Sequence, residues 1–412
     1  MHYRRTNNTA AARNIIIVGV VFNLIMALGN YLYNKEITEN LTSALLKFEE
    51  KIEEQIHTQN LGIMQTLEVL IDPEILESMM LYPSSSIKGL YIPTHKLKDI
   101  DDYIALANAS EINTFVLDVK NDSGYLTFET DNPLLVEFAT TSSYLDEVLE
   151  VMKENEIYPI ARLVTFKDNA LAETYPSRMV QDHDGNIYVN ASGETWLNPY
   201  DTKNWDYILE ICKEVIELGF KEIQFDYIRF HESMNDERVD LPDHKTKVEI
   251  INEFVDFITE QLQPYNVVIS ASVFGSIITS NVDAEIVGQN YADLVTKLDA
   301  IYPMVYPSHY GEGWYNQDYP DLAPYEIISG AMNDSNKIIE QLDEPHAIVM
   351  PWLQDFTATW LVNHQPYEAE QIRQQIDAVY DAQLSGWILW NSAANYTIEA
   401  LLNDDEATEN QS

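Results

Sequence analysis

The sequence predicts an α/β chain, a (β/α)8 barrel of the TIM type preceded by an N-terminal transmembrane or signal helix and a helical stalk. Three observations predict it. Short, nearly continuous apolar runs alternate with helical periodicity eight times between residues 87 and 402, as expected of parallel strands covered on both faces. The first run ends Ile92-Pro93-Thr94-His95 with no glycine-rich phosphate loop, which argues against a doubly wound nucleotide-binding sheet. Polar and aromatic residues gather at the C-terminal ends of the runs, the face on which such barrels carry their chemistry.

The chain opens with Arg4, Arg5 and Arg13 ahead of an apolar run from Ile15 to about Tyr33, about the length that crosses a bilayer as a helix. The basic flank puts the N-terminus inside and the rest outside. Residues 1–34 read as an uncleaved signal anchor, because helical periodicity continues without a break. The competing reading is a cleaved signal peptide, with Ala27-Leu28-Gly29 as its small-x-small site. The barrel is expected outside a bacterial cell membrane, tethered by a single pass, or secreted if the segment is cut. Residues 35–86 read as an amphipathic stalk: Leu41, Leu45, Phe48, Ile52 and Ile56 form one stripe, and Glu49, Glu50, Glu53 and Glu54 fill the other side. That stripe offers a surface for self-association. Pro73 breaks the helix, and Tyr82-Pro83-Ser84-Ser85-Ser86 marks the boundary of the barrel.

Strands are predicted at 88–92, 114–119, 157–164, within 219–230, and at 267–273, 300–306, 347–352 and 386–391. Helices are predicted over 99–109, 144–155, 205–218, 247–261, 291–297, 324–341 and 368–383. A long insert separates Lys167 from Trp205. Its Asp182-His183-Asp184-Gly185-Asn186 lacks the full ligand spacing of a calcium loop and reads as a polar hairpin turn. Trp196 and Tyr200 in the insert either line a sugar subsite or pack the loop. Residues 403–412 form an acidic, disordered tail.

Composition narrows the function. The chain carries 24 basic against 67 acidic residues, a net charge of -43, which excludes nucleic acid as a partner and weakens the case for a polyanionic substrate. The one cysteine, Cys212, lies on the apolar side of a predicted helix, so neither a disulfide framework nor a cysteine metal site is expected. No cofactor and no metal are expected. Seven Trp and 25 Tyr suit both a barrel core and the stacking platforms of a sugar cleft.

The strand ends supply the candidate site. Strand two gives Asp118 and Lys120, followed by Asn121-Asp122-Ser123-Gly124. Strand three gives Arg162, then Lys167 and Asp168. Strand four, in Gly219-Phe220-Lys221-Glu222-Ile223-Gln224-Phe225-Asp226-Tyr227-Ile228-Arg229-Phe230, gives Asp226 and Arg229. Strands six, seven and eight give Tyr306 and His309; Trp352, Gln354 and Asp355; and Trp390 and Asn391. Alternation places Asp226 with Gln224, and Asp118 with Val116 and Lys120; if both acids face the barrel axis they approach each other across the mouth. The bland alternative is a salt-bridge network of Asp118 with Lys120 or Arg162, and of Asp226 with Arg229. Glycoside hydrolysis needs two carboxyl groups flanking the scissile bond. Asp226 is the candidate nucleophile or base; Asp355, Asp118 and Glu312 are candidate proton donors. Arg162, Lys120, Arg229, Tyr306, Trp352, Gln354, Trp390 and Asn391 are candidate substrate contacts. His309 and His346 stand apart and read as structural.

Several of these stretches carry a family resemblance. Asn113-Thr114-Phe115-Val116-Leu117-Asp118-Val119-Lys120, Phe166-Lys167-Asp168, Trp196-Leu197-Asn198-Pro199-Tyr200, the strand-four run, Pro351-Trp352-Leu353-Gln354-Asp355-Phe356 and Gly386-Trp387-Ile388-Leu389-Trp390-Asn391 resemble, in order and spacing, the DUF4015 glycosyl hydrolase domain family. The resemblance runs from about Ile87 to Ala400 and implies a TIM barrel and a polysaccharide substrate. Asn169 and His231 stand where it implies prolines, and Ser272 stands where it implies an acid on strand five. The missing acid motivates a second expectation, a non-catalytic carbohydrate-binding or wall-organising protein on a glycosidase barrel.

Overall fold

A computed structural model of the chain describes residues 86–342 and 346–402. The expected membrane helix (1–34), all of the expected stalk but its last residue, and the acidic tail (403–412) lie outside the described residues. Among the described residues no helix is long and apolar enough to cross a membrane.

Nine hydrogen-bonded segments build the sheet: β1 (Lys88–Ile92), β2 (Thr114–Lys120), β3 (Tyr158–Val164), β4 (Glu222–Asp226), β5 (Val268–Phe274), β6 (Ala300–Met304), β7 (Ile348–Val349), β8 (Trp352–Gln354) and β9 (Trp387–Trp390). All pairings are parallel, in the order β5-β4-β3-β2-β1-β9-β8-β6, and β6 closes back onto β5. β7 and β8 are two pieces of the seventh barrel strand. The sequence reads one strand there, but the chain breaks at Met350-Pro351, and proline has no N–H to donate to a ladder. The result is a closed parallel barrel of eight strands wrapped by helices. Closure joins segments far apart in the chain, with Lys88 opposite Trp387 and Leu90 opposite Leu389.

The helices are α1 (Ile100–Asn108), α2 (Leu145–Glu154), α3 (Ala170–Thr174), α4 (Thr202–Glu217), α5 (Lys247–Leu262), α6 (Asn281–Val287), α7 (Tyr291–Val295), α8 (Pro324–Ile339) and α9 (Ala369–Asp381). The long ones begin where the local chemistry directs. Thr246 and Glu249 form a reciprocal capping box on α5, and the Asp201 side chain accepts from Lys203 N at the start of α4. The short α3 and α6 are absent from the sequence expectation, because one or two turns leave too few apolar positions to show a period. The hairpin reading of the insert agrees with the fold: Asp182 Oδ1 accepts from the backbone of Asp184 and Asn186, both at 2.9 Å. Trp196 is buried and the Tyr200 hydroxyl donates to Lys245 O at 2.8 Å, so both pack the loop.

Strand alternation sorts the core into two parts. Tyr91, Val116, Ile160, Tyr302, Trp352 and Ile388 fill the barrel interior. Leu90, Phe115, Leu117, Ile223 and Phe225 point outward, into a layer shared with the helices that includes the buried Cys212.

At the opening of β4, Glu222 is buried inside the barrel. It accepts from the hydroxyls of Ser270 at 2.5 Å and Tyr302 at 2.8 Å, with Tyr158 also bonded to it. Burial pushes its carboxyl up to about 7, against the pull of those three hydroxyls. The unfolded chain titrates near the ordinary glutamate value of 4.5. The contribution of Glu222 to stability is therefore fully present below pH 4.5 and is lost as pH rises through about 7. A shift of this size corresponds to roughly 3 kcal/mol. Glu222→Gln should be near neutral for stability at pH 4 and stabilising by about 2–3 kcal/mol at pH 8. Urea unfolding at the two pH values measures it, and an equal effect at both would reject the buried titration.

Candidate active site

The site is built where β2, β3 and β4 end together. Asp118 pairs in register with Arg162, and Val164 with Asp226, so the three charged side chains emerge on the axial face within a turn of one another. Arg162 is their hub. Its Nε and Nη2 reach Asp226 Oδ2 at 2.8 and 2.7 Å. Its Nη1 donates to Asp118 Oδ1 at 2.7 Å and to Asp122 Oδ2 at 3.2 Å. The Tyr91 hydroxyl donates to the other Asp118 oxygen at 2.6 Å. Tyr91 and Trp390 stack at 4.3 Å, with the guanidinium carbon 5.6 Å from each ring centroid, a distance at which a cation gains from the aromatic face.

The charges are strongly coupled. Burial opposes the Arg162 charge, but Asp226, Asp118 and Asp122 hold the guanidinium well above its ordinary value. Burial pushes the Asp118 carboxyl up, opposed by Arg162 and Tyr91. Burial also acts on Asp122, yet the cations Arg162 and Lys167 bring it below the usual carboxylate range. With donors on both oxygens, Asp118 braces Arg162 from behind.

The backbone is bent sharply at the acid. Tyr227, directly after Asp226, has φ 53°, a left-handed conformation that costs a bulky residue about 1–3 kcal/mol and concentrates at functional sites. It turns the Tyr227 N–H onto Asp226 Oδ1 at 2.7 Å. Both Asp226 oxygens are thus oriented, one by Arg162 and one by the main chain. The loop carrying Asp122 depends on Gly124, whose φ is +94° and where a Cβ would lie 2.2 Å from Asp168 Oδ1.

Above Arg162 and Asp226 opens a cavity of about 450 Å³, within the usual size range of small-molecule sites. Trp352, Trp390, Tyr306, Tyr227 and Phe274 line it, with Ser272 deep in it accepting from Trp352 Nε1 at 3.0 Å. Arg229 borders it, packed 4.2 Å from the Phe274 ring and 5.0 Å from Tyr227, with Nη1 donating to Phe230 O and to Glu232 Oε2 at 3.3 Å.

Of the residues expected at the site, Asp226, Arg162, Arg229, Tyr306, Trp352 and Trp390 line this cavity. Asp118 lies behind Arg162. The other four do not line it. The β2–β3 register shifts between Asp118 and Lys120, a bulge that breaks the alternation. Lys120 is fully buried, with Nζ 2.9 Å from Asp168 Oδ2 and 2.8 Å from Val164 O. Both Asp355 oxygens hold Thr397, at 2.7 Å from its hydroxyl and 2.9 Å from its N–H. Gln354 accepts from Ser308 N and donates to Asp321, and Asn391 donates to Asp355 O and Asn395 O. Glu312 is exposed and outside the lining. His309, read as structural, does line the cavity, and so do Glu232 and Asp283, neither of which was singled out. Glu232 is three residues beyond Arg229, and that spacing was the one available signal; Asp283 sits on the unforeseen α6. Among the described residues no group of three His, Cys, Asp or Glu side chains is placed to hold a metal ion.

The DUF4015 family model, described as "Putative glycosyl hydrolase domain", matches residues 89–396. Among solved structures, a hypothetical protein from Ruminiclostridium thermocellum is 38% identical, over 44% of this chain and 96% of its own, with a TM-score of 0.41. The PgaB (BpsB) glycoside hydrolase domain from Bordetella bronchiseptica is 11% identical, over 77% of this chain and 99% of its own, with a TM-score of 0.55, a likeness of fold. No curated protein matches the chain significantly.

Removing one partner of a buried charge cluster leaves the others uncompensated and costs about 3–5 kcal/mol. Arg162→Met should destabilise the barrel by that amount in urea unfolding, and adding Asp118→Asn should recover part of the loss. Additive losses in the double variant would show that the two residues are not coupled.

Proposed function

The chain belongs to the DUF4015 glycosyl hydrolase domain family, and from that premise we propose that it is a glycosidase, cleaving O-glycosyl bonds of a cell-wall or surface polysaccharide outside the cell. One observation carries the reading: Asp226, fixed at both oxygens, stands on the floor of an aromatic-walled cavity whose lining includes further carboxyl groups. Aromatic faces take the apolar faces of sugar rings, and an oriented carboxylate beneath them serves as nucleophile or as base toward water.

The second carboxyl group must carry a proton to the leaving oxygen. Glu232 is held by Arg229. Asp283 also lines the cavity and enters no ion pair among the described residues, so its side chain is the freer to reach a leaving group and is the proton donor in this reading. Arg162 holds Asp226 in place, and Trp352, Trp390 and Tyr306 hold the sugar. The extracellular, membrane-tethered setting rests on Arg4, Arg5 and Arg13 ahead of the apolar run from Ile15, and the net charge of -43 favours a substrate that is not a polyanion.

A second reading, a carbohydrate-binding protein without turnover, is favoured by Ser272 on β5 and by the double hold of Arg162 on Asp226. Reducing-end release from a panel of wall polysaccharides separates the two. Asp226→Asn should abolish release, and Asp283→Asn should lower kcat by about 10²–10⁴-fold, the usual weight of a general acid. Undiminished release in Asp226→Asn would remove it from the chemistry. Retention of a polysaccharide by wild type with no release at all would establish the binding reading.

A further inference from the structure

Beyond the cavity, an aromatic path continues to the protein surface. Tyr306 and His309 line the cavity and meet edge to face at 5.3 Å. Phe356 lies 5.9 Å from Tyr306 and 6.3 Å from His309. Trp360 stacks on Phe356 at 5.9 Å with 25° between the planes, and lies 6.2 Å from His309. Trp360 is 62% exposed, the largest aromatic surface left open among the described residues. Its indole N–H has no hydrogen-bond partner among the described residues.

The loop that presents Trp360, between β8 and α9, is braced rather than loose. Ala358 is fully buried, and Leu361 N donates to Ala358 O at 3.0 Å. Tyr367 N donates to Thr357 Oγ1 at 3.1 Å. Gln365 donates to Asp321 through its N–H at 3.1 Å and its side-chain amide at 2.8 Å, and the Tyr367 hydroxyl also reaches Asp321 O. An exposed indole held this firmly forgoes burial that a flexible loop would allow, yet it loses little entropy when something covers it.

We propose that Trp360, backed by Phe356, is an outlying sugar-binding platform that holds a ring of a glycan chain whose neighbouring part occupies the cavity, so that the site takes a polymer in preference to a short fragment. The proposal rests on the glycosidase reading of the cavity. The occupant is a neutral or amino-sugar chain. Its ring hydrogens cover the indole face, and the free indole N–H donates to a hydroxyl. The unbroken aromatic contact from Tyr306 to Trp360 is what makes the outlying ring continuous with the cavity. A net charge of -43 repels a polyanion.

Affinity electrophoresis of the full chain in gels containing hydroxyethylcellulose, galactomannan or glycol chitin tests this, with reducing-end release measured on the same polymers and on their disaccharides. Trp360→Ala should weaken retention on the retained polymer about tenfold, equivalent to about 1.4 kcal/mol, and leave disaccharide handling unchanged. Trp360→Phe should restore most of the retention, and Val362→Ala, at a neighbouring position that is 96% exposed, should have no effect. Equal retention of wild type and Trp360→Ala overturns the platform and leaves the cavity reading standing. Weakened retention with no release by wild type supports the platform and overturns the hydrolase. Failure of wild type to be retained by any of the polymers overturns both.

Discussion

The interaction on which the site depends is the burial of one guanidinium among three carboxylates. Arg162 is 2% exposed; deprived of water, it would be untenable without Asp118, Asp122 and Asp226. Each of those acids comes from a different element, so satisfying the arginine fixes the ends of β2 and β4 and the loop after β2 at once. The network continues outward, since Lys167 Nζ bridges Asp122 at 3.2 Å and Glu194 at 2.7 Å. Such clusters contribute less to stability than a well-packed apolar core of equal volume. What this one supplies is position: it holds an acid at the floor of an open cavity, where an apolar core could not.

The barrel was legible because its signals are repeated. Eight apolar runs separated by amphipathic helices leave few alternatives, although the helix expected from Trp205 begins at Thr202, behind its Asp201 cap. Asp226 and Arg162 were legible for the same reason, since the end of each strand is where a barrel offers side chains to a ligand. Lys120 was not, because a single bulge reverses the face of every residue after it and nothing in Asp118-Val119-Lys120 announces it. Asp355 and Gln354 were misplaced for another reason. A polar residue at a strand end reads the same in sequence whether it faces a ligand or bonds a neighbouring loop. In the fold these two are spent on Thr397, Ser308 and Asp321. Glu232 and Asp283 lie on segments whose course follows from tertiary packing, where periodicity has nothing to report.

The acidity of the chain and the chemistry of the cavity act at different ranges. Surface carboxylates are screened within about a Debye length and set what approaches. The buried Arg162 and its partners act at contact distance and hold Asp226 at the cavity floor. Two arginines border the cavity, and both lie against aromatic rings, an arrangement in which the flat guanidinium faces extend the apolar wall as well as carrying charge.

The pairing of β1 with β9 has a consequence for how the chain is made. Lys88 cannot find Trp387 until nearly the whole domain has been synthesised, and long-range parallel pairings are the slow ones to form. Until then both edges of the growing sheet stand open, with β1 showing Leu90 and Ile92, which are wholly buried in the finished protein, to any other strand nearby. A chain built this way stays vulnerable to self-association through most of its birth and becomes safe only with its last strand. The heavy excess of negative charge falls almost wholly after the first hundred residues, so it builds up as the chain lengthens and is well suited to keeping the later unfinished copies apart.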